Sequence, residues 1–177
     1  MIAKRMNIEG GYVIEPQRFE DERGFFARAW SERELADLGV ESRFVEGNVS
    51  YNRRRGTLRG LHYQVAPHGQ AKLVRCTRGR VFDVGVDLRP GSPTFCRWFG
   101  VELSAENRLA LYLPGEFAHG YLTLEDDSEV YYLVTNVYAP ASARGARWDD
   151  PAFRIEWPEA GALLINERDR AYPDFRP

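Results

Sequence analysis

The chain has 177 residues, with 24 Lys+Arg against 26 Asp+Glu, a length that suits one domain able to bury a core without metal or disulfide support. The near-even charge argues against a nucleic-acid partner, which normally demands a basic surplus. No apolar run reaches the roughly 18–20 residues of a membrane span, and Met1-Ile2-Ala3-Lys4-Arg5-Met6 has no apolar stretch behind its charges to make a signal peptide.

In chain order, short apolar stretches broken by Gly and Pro predict strands at residues 11–15, 25–30, 44–51, 57–64, 72–76, 80–88, 94–103, 109–113, 118–124 and 129–138. One helix stands out. Ser31-Glu32-Arg33-Glu34 reads as a capping box, Leu35 and Leu38 as its apolar stripe, and Gly39 as its stop. The clearest strand is 80–88, with Phe82, Val84, Val86 and Leu88 on one face and Asp83 and Asp87 on the other. Cys76 and Cys96 both fall in strand-like stretches, too few for a disulfide framework, and read as reduced small hydrophobes of a cytoplasmic protein. After Asp149-Asp150-Pro151 the pattern is irregular, which predicts a tail packed back on the strands. About ten short strands with a single small helix point to a sandwich or barrel.

Chemistry concentrates in the middle of the chain. His68 sits in a Pro-Gly loop and reads as surface, whereas His62 and His119 lie within apolar stretches. Arg59, Lys72, Tyr132 and Asp169 also stand in or beside segments that look buried, where charge is rare unless paired or functional. Tyr132 and Tyr138 are six apart and would share a face of a regular strand. Arg59 and His62 are three apart and would face opposite ways unless Gly60 hosts a bulge. His62 is followed by Tyr63-Gln64 rather than a second His, so no metal first shell is expected. There is no Gly-x-Ser-x-Gly elbow and no phosphate-cradling glycine loop, so a phosphate-bearing ligand would be held by Arg and Lys side chains.

Thr57-Leu58-Arg59-Gly60-Leu61-His62-Tyr63-Gln64, Gln70-Ala71-Lys72-Leu73-Val74 and Gly79-Arg80-Val81-Phe82-Asp83-Val84 together resemble the nucleotide-sugar 3,5-epimerase family. The likeness begins at Asp21-Glu22-Arg23-Gly24-Phe25-Phe26. It continues through Arg89-Pro90-Gly91-Ser92-Pro93, Pro114-Gly115-Glu116-Phe117-Ala118-His119-Gly120-Tyr121, Val130-Tyr131-Tyr132, Trp148-Asp149-Asp150-Pro151 and Glu167-Arg168-Asp169. The resemblance implies an all-β, cupin-type jelly-roll barrel over residues 1–177 as one domain, with one or two short helices and a C-terminal tail packed on the barrel. It implies no metal and no cofactor, and a homodimer in which each subunit lends a strand or arm to the other's site. By position, His62 matches the family's base, Asp169 its orienting carboxylate, and Tyr132 the acid on the opposite face of the sugar. Lys72 matches the cation near O4, and His119 a second polar group by the ring. Arg59, Arg23 and Phe26 match nucleotide and diphosphate contacts, the last two from the partner subunit, and Tyr138 matches a contact to the base or deoxyribose.

Three positions depart from the family pattern in its nucleotide-binding part. Arg28 and Ala143 stand where Glu is usual, and Glu46 precedes Gly47-Asn48 where Gln is usual. A carboxylate at 46 would repel a diphosphate unless an arginine such as Arg28 or Arg59 paired with it. The substitutions fit either neutral change at the rim or a different nucleotide or sugar. The readings open at this level are a 3,5-epimerase, a single-site epimerase, a 3,4-ketoisomerase and a non-catalytic sugar-binding barrel. Retention of Tyr132 and of the His62–Asp169 pair argues against the last two, and the choice between C3, C5 or both stays open in the sequence.

Overall fold

The computed structural model describes residues 1–176. Alternating apolar residues pair the strands into two antiparallel sheets laid face to face. One sheet contains β1 (Ile2–Arg5), β2 (Tyr12–Glu15), β5 (Glu46–Asn52), β7 (Lys72–Arg78), β10 (Ala110–Leu113) and β12 (Ser128–Val134), in the order β1-β2-β10-β7-β12-β5. The other contains β6 (Leu58–Gln64), β8 (Arg80–Asp87), β9 (Trp98–Ser104), β11 (Phe117–Thr123) and β13 (Ala143–Gly145), in the order β13-β6-β11-β8-β9. A separate hairpin joins β3 (Arg18–Asp21) and β4 (Gly24–Ala27). The fold is a cupin-type jelly roll, nearly all β, with two one-turn helices.

The space between the sheets is divided by chemistry. Val74, Cys76, Val81, Leu103, Leu111, Leu113, Phe117 and Val130 close one part of it with a dry apolar cluster. The two-residue strand period carries the same inward faces on to Lys72 in β7, Asp83 in β8, His119 in β11 and Tyr132 in β12. The barrel is therefore filled on one side and polar on the other. Outside, α1 (Glu32–Ala36) places Leu35 over Leu73, Tyr112 and Leu133 of the first sheet. Residues 146–175 cover the second sheet, with Phe153, Ile155, Trp157 and Phe175 packed on Leu61, Val84 and Val86. The tail expected from its irregular pattern thus forms an outer layer. With the barrel interior on the opposite side, it leaves β8 buried on both faces and carries α2 (Glu167–Arg170) back to the barrel mouth.

Several local expectations change. Ser31 caps α1 by accepting from the Glu34 N–H, but the Glu34 carboxylate is taken by the Met1 ammonium (2.6 Å) and Arg28 (2.8 Å), so only half of the capping box forms. Cys76 is buried in β7, whereas Cys96 lies in a hydrogen-bonded turn before β9, its N–H bound to Asp87 O. β12 ends at Val134, since Gln64 and Gln70 side chains capture the backbone at 136, 137 and 139 and draw the chain off the sheet. Tyr132 and Tyr138 therefore do not share a strand face.

Candidate active site

The polar end of the barrel opens as a cleft of about 310 Å³ lined by residues from both sheets and the tail. His62, His119 and Arg59 enter from β6 and β11, and Lys72 and Tyr132 from β7 and β12 across the barrel. Ser50, Gln70, Tyr138, Ala143, Arg144 and Arg168 complete the wall and rim.

The bulge expected at Gly60 is present. His119 pairs with His62, yet Tyr121 pairs with Arg59, so β6 spends three residues where β11 spends two. The extra residue turns Arg59 and His62 to the same cleft. The Gly60 N–H, freed from the ladder by the bulge, donates to Asp169 Oδ2 at 3.0 Å. The other carboxylate oxygen bonds His62 Nε2 at 2.8 Å. Asp169 reaches this buried position because Asn166 caps α2, its Oδ1 accepting the Asp169 N–H at 2.7 Å. Burial alone would raise the Asp169 pKa, but the hydrogen bonds from His62 and Gly60 outweigh it and hold the carboxyl below its ordinary value. An ionised Asp169 on Nε2 leaves Nδ1 as the nitrogen free to take a proton.

A second pair lies deeper. His119 Nε2 sits 3.0 and 3.1 Å from the two oxygens of Asp83, which has no exposed surface. Burial pushes the His119 pKa down against the pull of Asp83. Lys72 donates to the His62 carbonyl at 3.0 Å, and burial lowers its pKa to about 8, with Asp83 opposing. Burial likewise raises the Tyr132 phenol; Arg59 acts against this and Glu46 adds to it. Arg59 is aimed by Asn52, whose Oδ1 accepts from Nε at 2.7 Å, and Asn52 Nδ2 in turn donates to the Tyr121 hydroxyl at 3.3 Å.

The strands and tail therefore bring together His62, Asp169, Lys72, His119, Tyr132, Arg59 and Tyr138. Glu46 and Asn48 stand on β5, on the face that carries Ser50 to the cleft. Arg23, Phe26 and Arg28 do not line it: Arg23 pairs with Asp21 at the tip of the β3–β4 hairpin, Phe26 points to solvent, and Arg28 holds Glu34. Glu46 pairs with neither Arg28 nor Arg59 among the described ion pairs. Asp83, Asn52, Tyr121 and Arg168 were not picked out in the sequence. The signal for Asp83 was its place two residues from Val81 on a strand whose other face is also apolar. Among the described residues no cluster of His, Cys, Asp or Glu suits a metal ion, and no helix is long and apolar enough to cross a membrane.

A sequence model of the dTDP-4-dehydrorhamnose 3,5-epimerase family matches residues 5–177. The chain belongs to this family. It is 42% identical over 179 aligned positions to the dTDP-4-dehydrorhamnose 3,5-epimerase of Sinorhizobium fredii, covering 99% of this chain and 90% of that one. The crystal structure of the Elizabethkingia anophelis dTDP-4-dehydrorhamnose 3,5-epimerase superposes with a TM-score of 0.95 at 42% identity, covering 99% and 96% of the two chains. A Legionella pneumophila dTDP-6-deoxy-D-glucose-3,5-epimerase solved with dTDP-4-keto-L-rhamnose gives 0.89 at 36% identity, with 99% of each chain covered. The family assignment inferred from the motifs thus holds along the whole chain.

Proposed function

We propose that this chain epimerises a dTDP-4-keto-6-deoxy-hexose at C3 and C5, converting the 4-dehydro-6-deoxy-D-glucose form to 4-dehydro-L-rhamnose for polysaccharide or glycoside synthesis. One observation carries the reading. A carboxylate-oriented histidine and a phenol enter one cleft from opposite sheets. Epimerisation requires this arrangement, because a proton leaves one face of a carbon and another arrives on the opposite face. His62 Nδ1 takes the proton next to the C4 carbonyl, and the electron pair moves into an enolate on O4. Lys72, beside the His62 carbonyl, meets that developing charge, an interaction stronger with the enolate than with the ketone and therefore one that lowers the barrier. The Tyr132 phenol holds its proton until a carbanion-like carbon faces it, then delivers it. His119, kept in place by Asp83, supplies a second polar contact to the ring.

Arg59 at the rim suits a diphosphate, and Tyr138 a nucleoside face. Arg23 and Phe26 belong to the same reading through a homodimer: their hairpin stands free of its own cleft and reaches a partner's. The substrate class and two free cysteines agree with a cytoplasmic setting. Incubation with dTDP-4-keto-6-deoxyglucose in D₂O tests the reading. Deuterium at both C3 and C5 is expected. Uptake at one carbon would make this a single-site epimerase, and no uptake by folded protein would point to another nucleotide sugar, with Glu46 and Ala143 as the first positions to exchange.

A further inference from the structure

The turn of α2 delivers more than Asp169 to the barrel mouth. Tyr172 follows just beyond the Ala171 C-cap of that turn. The Ala171 N–H donates to the carbonyls of Glu167 and Arg168, closing the turn and setting the direction in which Tyr172 leaves it. The phenol ring meets the His62 imidazole edge to face, with centroids 6.4 Å apart and planes at 72°. It rests on Gly145, the residue opposite His62 in the β6–β13 ladder. A Cβ at 145 would fall 2.0 Å from Tyr172 Cζ, so no other residue there leaves room for the ring. The Tyr172 hydroxyl is buried and makes no well-aligned hydrogen bond among the described residues, although the Arg168 guanidinium lies beside it and is raised in pKa by it. Whatever the hydroxyl gains from Arg168, the part of Tyr172 that meets the His62 imidazole is the ring.

We propose that Tyr172 is a positioning residue for His62. Asp169 holds Nε2 and so fixes the tautomer and one edge of the imidazole. A single hydrogen bond leaves the ring free to swing about that contact. The perpendicular phenol blocks the swing, keeping Nδ1 directed at the carbon it deprotonates. The inference rests on His62 being the base of the proposed reaction.

The test is deuterium exchange and steady-state kinetics with dTDP-4-keto-6-deoxyglucose. Absence of exchange in the unaltered enzyme would remove the underlying reaction and is told apart by that control. With active enzyme, Tyr172→Ala is expected to lower kcat about 10²-fold with KM little changed, the penalty of a misplaced catalytic group. Tyr172→Leu, which keeps apolar volume and so protects the fold, is expected to lose kcat in the same way. Tyr172→Phe keeps the ring and is expected to restore turnover. Gly145→Ala should reproduce the loss by displacing the ring, yet add nothing to Tyr172→Ala, because the two substitutions act on one contact. ¹⁵N spectra of the His62 imidazole should show one orientation with Tyr or Phe at 172 and averaging with Ala. Wild-type kcat in Tyr172→Ala or Tyr172→Leu would overturn the proposal. So would an equal loss in Tyr172→Phe, which would move the role to the hydroxyl.

Discussion

Burial of Lys72 works against its own charge, which makes it the residue where function and stability pull apart most clearly. Its pKa falls from 10.5 in the open chain to about 8 in the fold. Between those values the unfolded chain holds a proton that the folded chain has shed. Stability therefore rises with pH across that window, and below about 8 the full burden of the buried ammonium is present. At roughly 1.4 kcal/mol per unit the burden is about 3 kcal/mol. Lys72→Met is thus expected to raise the melting temperature at pH 7, with the gain shrinking as the pH approaches 10.5. The same variant should lose turnover, since a neutral thioether offers nothing to an enolate. In the unaltered enzyme kcat/KM should fall as pH rises through about 8, and the Met variant's residual activity should lack that limb. Thermal melts and pH–rate profiles check both halves; a destabilised Met variant would show that the ammonium is held for structure. Asp83, the buried acid that opposes this shift and holds His119, has only a weak signal in the sequence, its place two residues from Val81. It looked like the polar face of a half-exposed strand, because nothing local to β8 announces that residues 146–175 cover its other side.

At the level of elements, the bulge in β6 decides which side chains share the cleft. Gly60 has φ +122, and a Cβ there would lie 2.6 Å from Gly120 Cα and 2.8 Å from the His119 carbonyl. Gly60→Ala meets both a backbone conformation that L residues rarely adopt and a clash with backbone that has no rotamer to yield. Loss of about 3 kcal/mol or more by denaturant unfolding is expected, the sum of strain and overpacking, together with loss of the Gly60–Asp169 hydrogen bond and of activity. Stability within 1 kcal/mol of the unaltered chain would mean that the bulge can relocate. This bulge was readable from spacing alone, since only an extra residue reconciles Arg59 with His62. The long central strands were readable too, from Lys72 through Asp87 and from Phe117 to Val134, because each is a seven- or eight-residue stretch rich in apolar and β-branched or aromatic residues between turn signals. β1, β3, β13 and α2 were not. β3 exposes all four of its residues, and α2 buries an aspartate in place of an apolar stripe. β13 and α2 take their order from distant partners in β6, and β1 and β3 from neighbouring strands whose pairing no apolar alternation of their own announces.

For the whole molecule, the β3–β4 hairpin is the feature that one subunit does not explain. It forms its own two-stranded sheet, with Phe26 71% exposed and Phe19 61% exposed at its sides. Arg18 and Arg108 stack on Phe25, and Arg18 also donates to the carbonyls of Glu106 and Asn107, so the hairpin is held at its root while its tip stays bare. Large apolar side chains on a rigid, projecting element mark an interaction surface. In the proposed homodimer this arm enters the partner's cleft, where Arg23 exchanges its Asp21 pair for the substrate diphosphate. Each working site then needs His62 from one chain and Arg23 with Phe26 from the other. That division has a consequence a self-contained site does not share. A His62→Ala chain lacks the base but owns a sound arm; an Arg23→Ala/Phe26→Ala chain lacks the arm but owns a sound cleft. Each homodimer is expected to be nearly inactive at low substrate. When the two are unfolded together at equal amounts and refolded, half of the dimers are mixed, and each mixed dimer assembles one intact site from two damaged chains. Activity should therefore return to about a quarter of the unaltered level, set by the two-fold symmetry of the exchange. Sedimentation of the same samples would establish the dimer independently. A mixture no more active than its better component, in samples that do sediment as mixed dimers, would place the whole site within one chain and return the arm to a purely structural role.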